Sequence, residues 1–368
     1  MSRVACVACP DYRGADRAVH RALDLLEPRE PLALRGEPVL VKPNLLAPRP
    51  AEAAVTTHPA VVAALIDAAL DLGARPVVAD SPGLSSAQSV ARACGIFEVC
   101  RRRGVPVVDL GRGGAAVVSG PVYRGLALAR EAVEARRIWN APKWKTHAMM
   151  GLTLGVKNLF GCVPGRRKVA LHFRAGRDPK TFARHLLDIE AVLRPCLTLL
   201  DGIVAMEGPG PSRGRPVRRG LILASTDAAA LDWTATRLSG FHPGDVPTVA
   251  VSVEDGRIDP GRIREVGDRP APLRFDPAPG SPCDWPLPGF LKRWVRAAVA
   301  PAPRFDPARC TGCGVCRQAC PAGALSEAVP PGLSPERCIR CYCCQELCPA
   351  GAVRVPRRRL GFFPLRDS

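Results

Sequence analysis

Residues 310–321 read CTGCGVCRQACP, and residues 338–349 read CIRCYCCQELCP. Cys310, Cys313, Cys316 and Cys320 are spaced C-x2-C-x2-C-x3-C, with Pro321 next. Cys338, Cys341, Cys344 and Cys348 repeat the spacing, with Pro349 next. Paired [4Fe-4S] cubes use this spacing: three thiolates come from one tight loop and the fourth from the other run. By that rule Cys310, Cys313, Cys316 and Cys348 hold a first cluster, and Cys338, Cys341, Cys344 and Cys320 a second. Gly312 and Gly314 let the first loop turn its N–H groups toward sulfur, and Pro321 and Pro349 help to end each run. A zinc ribbon uses two C-x2-C pairs, not two four-cysteine runs. A disulfide framework needs an oxidising compartment, and nothing in the sequence suggests one. Cys343 fits no ligand position and reads as a buried or loop thiol.

The 368 residues suffice for one large domain and a small one. The chain is 47% hydrophobic, which supports an ordinary core. No apolar run reaches the roughly 18 residues of a membrane span, and the N-terminus MSRVACVACPDYRG lacks the apolar stretch of a signal peptide. The expected setting is cytoplasmic and reducing, with at most peripheral membrane contact. Net charge is +18, but the excess is arginine scattered along the chain, so nucleic acid is not the expected partner. A sharper signal lies in the lysines. Only seven of the 52 basic residues are Lys, at 42, 143, 145, 157, 168, 180 and 292. The three asparagines, Asn44, Asn140 and Asn158, each lie within three residues of one. In so Arg-rich a chain, Lys is expected where a compact ammonium is needed and a guanidinium fork does not fit.

Residues 3–9 predict a strand, and Ala18, Ala22, Leu25 and Leu26 predict a helix over 14–27. PVLVK (38–42) suits a strand buried on both faces. Thr57 is expected to cap a helix with Pro59 in its first turn and Gly73 past its end. A strand ending in Asp80, a helix over 86–103 and a strand over 105–110 follow. Residues 111–135 read as a β-ribbon, 136–140 as a strand, 150–160 as a short helix and 166–180 as a basic loop. Then come a helix over 181–194, strands over 196–206 and 218–225, and a helix capped by Asp227. This alternation predicts an α/β fold, a mostly parallel sheet with helices on both faces. The expected boundaries are 1–265 for that domain and 266–303 for a Pro-rich linker with a short basic amphipathic helix at 290–299. A small C-terminal α+β, bacterial-ferredoxin-like domain takes 304–356, and a basic tail 357–368.

In an open α/β sheet, ligands bind beyond the carboxyl ends of the strands. The polar residues placed there are Lys42, Asn44, Asp80, Ser81, Lys143, Lys145, His147, Asp201 and Glu207, with Lys157 and Asn158 on the short helix. Lys143, Lys145, His147 and Lys157 are the catalytic candidates. Lys42, Asn44, Asp80, Asn158, Asp201 and Glu207 are the substrate-binding candidates. The lysines suit carboxylate or phosphate groups. The acidic set, with Asp232, is expected to pair with them or to hold a divalent cation. A purely structural ion-pair network is the alternative. No P-loop, no G-x-G-x-x-G after a strand and no HExxH is present. Cys6 and Cys9 face opposite sides of their strand and read as core.

KPN, TTHPAVVAALIDAAL, ADSPG, NAPKWKTH, GVKNLFG, DGIVAMEGPGP and ASTDAAALD together resemble the domain-of-unknown-function family 362 (DUF362) over roughly residues 3–250. Family members often carry a C-terminal two-cluster ferredoxin. The resemblance implies an iron–sulfur protein with an α/β body and names no reaction. Pro209 departs from the more polar residue expected there, which weakens a ligand role for that loop. The expected function is a ferredoxin-coupled oxidoreductase exchanging electrons with an anionic substrate or cofactor. The alternative is a non-enzymatic electron carrier whose α/β domain docks a redox partner protein. Neither a flavin nor a divalent metal is legible.

Overall fold

The computed structural model describes residues 1–27, 32–165, 167–284 and 300–357. Its strands are β1 (Ser2–Ala8), β2 (Pro38–Pro43), β3 (Arg75–Asp80), β4 (Val107–Asp109), β5 (Ala115–Val118), β6 (Leu126–Ala129), β7 (Arg137–Ala141), β8 (Lys143–His147), β9 (Gly151–Thr153), β10 (Leu197–Glu207), β11 (Arg215–Ser225), β12 (Ile263–Gly267), β13 (Arg304–Phe305) and β14 (Val353–Arg354). Ten form one sheet in the order β12-β1-β11-β10-β7-β2-β3-β4, with β8 on β10 and β9 on β8. The sheet is mixed but mostly parallel. Only β11, against β1 and β10, and the β8–β9 pair run antiparallel. From β2 the chain builds outward to β3 and β4, then returns to lay β7 on the other side of β2. Lys42 and Pro43 thus lie in register with Asn140 and Ala141. The carboxyl ends of β2 and β7 flank a topological switch point, where α/β sheets take ligands.

Both faces of the sheet are covered. Val39 and Val41 join one core with the Ala15–Leu26 and Pro59–Asp71 helices, whereas Leu40 joins a second with the Pro179–Leu193 helix. Because successive strand residues alternate faces, PVLVK has no polar face to offer, as a strand between two helical layers requires.

Several local readings change. The Pro59–Asp71 helix is capped by His58, whose ring accepts from Ala60 N–H. Thr57 instead donates to Ala141 O and accepts from Asn44 N–H, tying two strand ends together. The 86–103 helix is two helices, Ala87–Ala93 and Ile96–Arg102, broken where Gly95 takes φ +84°. KWKTH is a strand in its own right, and 150–160 divides into β9, the Gly155–Asn158 helix and a 3-10 turn. Most of the expected loop over 166–180 is the Arg167–Ala175 helix, whose Leu171, His172 and Ala175 find a core to enter. The 290–299 helix and nearly all of the basic tail lie outside the described residues.

The cysteine-rich module is closed by the β13–β14 pair and carries two short helices, Val315–Gln318 and Cys343–Leu347. Its Cys341, Tyr342 and Cys343 enter the same core as Phe160 and Phe182. The described part of the Pro-rich segment is fastened to the body. Leu273 N–H donates to Leu238 O (2.7 Å), Phe275 N–H donates to Ser239 O (3.1 Å), and the buried Phe275 ring stacks on Trp144 at 5.3 Å. Phe275→Ala should therefore lower stability by about 3 kcal/mol or more. Urea denaturation checks this, and a change under about 0.5 kcal/mol, as for a free linker residue, would contradict it.

Candidate functional site

At the end of β2, Lys42 is fully buried and pairs with Asp80 from the end of β3 (Nζ–Oδ1 2.8 Å). Asp80 also accepts from Leu45 N–H (2.8 Å) and Ser81 N–H (2.9 Å), so this buried carboxylate is fully engaged. Gly161 passes directly over the pair, where a Cβ would collide with Lys42 Nζ at 2.6 Å. Beside it the chain's three asparagines form one ladder. Asn44 Nδ2 donates to Asn158 Oδ1 (3.0 Å), and Asn158 Nδ2 to Asn140 Oδ1 (2.8 Å). Asn140 Nδ2 donates in turn to Gly155 O (2.9 Å). This ladder joins the ends of β2 and β7 to the Gly155–Asn158 helix.

In β8 the alternation of KWKTH sends Trp144 into the core, while Lys143, Lys145 and His147 share the other side. The three then reach different partners. Lys143 donates to Asp201 (2.8 Å) and to Tyr12 Oη (2.8 Å), with Tyr12 stacked on His58 at 3.4 Å. Burial pushes the Lys143 ammonium down in pKa against the pull of Asp201, and burial takes His58 down to about 4. Lys145 donates to Asn44 Oδ1 (2.8 Å) and Val55 O (2.7 Å), and burial lowers it to about 7. His147 accepts from Met149 and Met150 N–H at Nδ1, which leaves the proton on Nε2. Nε2 lies 3.6 Å from Glu346 Oε2, and burial lowers this histidine to about 4.

A cavity of about 230 Å³ opens between the body and the cysteine module. Asn44, Asp80, Lys145, Lys157 and Asn158 line it; Lys42 sits just behind, and Lys143 belongs to the separate Tyr12–Asp201 cluster. Glu207 and Asp232 are elsewhere. Glu207 pairs with Arg215 and Arg219, and Asp232 accepts from Gly155 and Val156 N–H at a helix start. The acidic residues are thus dispersed, each with its own partner. Among the described residues no three His, Cys, Asp or Glu side chains gather to hold one metal ion.

Sequence reasoning missed Lys168, Thr153, His172, Cys343 and Glu346, all of which line the cavity. Lys168 donates to Ser81 O, Ser81 Oγ and Val163 O, and burial lowers it to about 8. Its retention as Lys was the available signal. Glu346 sits inside a cysteine run, between Cys344 and Cys348. Burial would raise its carboxyl, but Lys157, then His147 and His172, outweigh that and hold it far below the usual range. The 208–214 loop, read as a weak ligand candidate, instead grips the module. Gln345 Nε2 donates to Pro209 O (3.3 Å), Ser212 Oγ to Glu346 O (2.9 Å), and Arg213 to Cys348 O.

Within the module Cys310, Cys313, Cys316 and Cys348 surround one small cavity, and Cys320, Cys338, Cys341 and Cys344 another. The fourth cysteine of each set does cross over from the other run. Gly312 and Gly314 take φ of +68° and +71°, and Arg340 and Tyr342, their counterparts in the second loop, take +58° and +60°. The same loop is thus built twice, the second time at the steric cost a side chain carries in the left-handed region. Cys313 is exposed, whereas Cys338, Cys341 and Cys344 are buried, Cys341 in a core shared with the body.

Residues 39–237 match the family described as "Domain of unknown function (DUF362)". The chain belongs to the DUF362 family. Beyond the DUF362 region, residues 303–326 match a "4Fe-4S binding domain", so the module carries at least one 4Fe-4S site. A thylakoid-associated protein of Synechocystis sp. is 40% identical over 215 residues, covering 58% of this chain and 67% of that relative. Among solved structures, the lactate racemase apoprotein from Thermoanaerobacterium thermosaccharolyticum aligns at 14% identity and a TM-score of 0.42. The alignment covers 65% of this DUF362 chain and 57% of that one. Among the described residues no helix is long and apolar enough to cross a membrane.

Two outcomes follow from these geometries. Asp80→Ala strands the Lys42 ammonium in the core and should cost about 3–5 kcal/mol in urea unfolding. A loss below about 1 kcal/mol, typical of a surface pair, would contradict the burial. Lys145 binds its proton near pH 7 when folded and, from its ordinary value of 10.5, more tightly when unfolded. The unfolded state therefore holds more protons between those values, and stability should rise with pH across that window. Lys145→Met should flatten the rise between pH 7 and 9. Equal slopes for the two proteins would refute it.

Proposed function

We propose that this chain is an iron–sulfur oxidoreductase in which two [4Fe-4S] clusters exchange electrons with an anionic substrate or cofactor held by the α/β domain. One observation carries the reading: a five-residue helix serves both sites. Cys344 on the Cys343–Leu347 helix belongs to the inner cysteine set, while Cys343, Glu346 and Leu347 of that helix line the lysine cavity. Cys310, Cys313, Cys316 and Cys348 would hold the outer cluster, and Cys320, Cys338, Cys341 and Cys344 the inner one. When bound, these clusters supply one-electron chemistry.

The chain's own residues do the rest. Lys145 and Lys157 attract and orient an anion, the Asn ladder fixes the Lys145 side chain, and His147 holds a proton on Nε2 facing the cavity's Glu346. Exposed Cys313 marks the end where a redox partner protein delivers or collects electrons. Sixteen free cysteines suit a reducing, cytoplasmic setting. The name of the Synechocystis relative adds peripheral attachment to a membrane as a second possible setting.

Anaerobically prepared protein should contain about eight iron and eight sulfide per chain, and reduction should give signals from two interacting centres. Cys343→Ser should leave the iron content unchanged. Iron near four in fully reconstituted protein would remove one cluster, and zinc in place of iron would overturn the reading. Reducible clusters with no substrate turnover in any assay of the intact protein would favour the electron carrier.

A further inference from the structure

We propose that the cavity beside Lys157 is a seat for a single-ring carboxylate, its charge met by that lysine and its ring against the apolar wall. The inference rests on the reading of this cavity as the substrate end of the protein.

Donor accounting comes first. An ammonium has three N–H groups. Those of Lys168 meet three acceptors, while Lys42, held by Asp80 and Pro43 O, does not line the cavity. Lys145 donates to Asn44 Oδ1 and Val55 O and has no exposed surface. Lys157 makes no hydrogen bond among the described residues, and its ammonium lies 5.9 Å from the Phe160 ring centroid. Two further polar atoms on the cavity lining, Thr153 Oγ1 and His172 Nδ1, are buried without a hydrogen-bond partner. Buried groups left in that state destabilise a fold unless something meets them. Here two of them, on Thr153 and His172, belong to residues of one lining, which also holds the unbonded Lys157.

Charge then sets the sign of the ligand. Asp80 is neutralised by Lys42, which leaves Glu346 alone against Lys145, Lys157 and Lys168. The excess is positive, and a cation or neutral polar ligand would waste it. Size and polarity set the body. Leu45, Pro82, Phe160, Val169 and Leu347 are among the apolar residues of the lining. A dry apolar cavity of about 150 Å³ admits benzene, so about 230 Å³ takes one ring with a carboxylate. A carboxylate supplies one charge for Lys157, which lines the cavity and makes no hydrogen bond among the described residues. A phosphate, with a further charge and a third oxygen, would find Lys168 already engaged. Glu346 faces Lys157 from the module, so an incoming carboxylate shares that lysine with it.

The test is calorimetric titration of full-length, anaerobically purified holoprotein with benzoate, benzamide and phenyl phosphate. Benzoate should bind about tenfold or more tightly than benzamide. Lys157→Met should weaken benzoate about tenfold or more, and the near-isosteric Thr153→Val should weaken it to a smaller extent, with iron content unchanged in both. Glu346→Gln should strengthen benzoate binding by removing the competing charge. Lys180→Met, on the outer surface, should change nothing. Equal binding of benzoate and benzamide, or a Lys157→Met protein that binds as wild type, would overturn the proposal. Phenyl phosphate binding more tightly than benzoate would overturn the carboxylate assignment in favour of a phosphate. The readout is independent of electron transfer. Benzoate binding with no substrate reduction would sink the oxidoreductase reading and leave the seat. Reducible clusters coupled to turnover, with no benzoate binding, would do the reverse.

Discussion

Glu346 reaches out of the cysteine module into a part of the α/β body furnished with Lys157, His147 and His172. A carboxylate withdrawn from water is tolerated only where positive charge and donors replace its hydration. The body supplies both, with the Lys157 ammonium as the charge and His147 Nε2 at 3.6 Å as the facing donor. Each part therefore relieves a charge the other has buried, and the helix bearing Glu346 is held at one depth and one angle. Leu347 against Gly83 and Gln345 against Pro209 extend the same contact. Remove the charge match and the cavity loses a wall.

The arrangement also explains why this chain keeps lysine in so few places. Lys42, Lys143 and Lys145 have no exposed surface, and Lys157 is 9% exposed. A single ammonium can approach Asp80 beneath Gly161, or reach Val55 O between strands, where the planar guanidinium would need room for five donors. Several arginines, by contrast, make surface pairs such as Arg101–Glu98 and Arg102–Glu98. These contribute little individually and leave composition free to drift. Selection for a compact buried cation is visible as the exception to an Arg-rich background.

The switch point supplies the remaining geometry. Because β7 returns beside β2, an asparagine on each strand end and a third on the helix after β9 come within hydrogen-bonding reach. Their amides donate and accept in sequence, so the ladder is rigid without any charge of its own. It positions Lys145 through Asn44 and leaves Lys157, one residue before Asn158, at the edge of the cavity.

The sequence by itself determined what depends on short-range covalent spacing. Eight cysteines in two repeated runs, the two-faced strand PVLVK, the caps at Asp227 and Gly73, and the association of Lys with Asn are all local patterns whose physical meaning travels with them. Tertiary structure alone decided what depends on which strands become neighbours. Lys143 and Lys145 look equivalent in NAPKWKTH. One meets Asp201 and Tyr12 and the other meets Asn44, because β8 pairs with β10 through an irregular register. KWKTH is not read as a strand from the sequence, and its partner strand β10 lies more than fifty residues away. Glu346 carries no local mark of burial, and His172 and Thr153 none of a shared cavity. Burial and charge compensation are properties of surfaces that meet, and only the docked module brings those surfaces together.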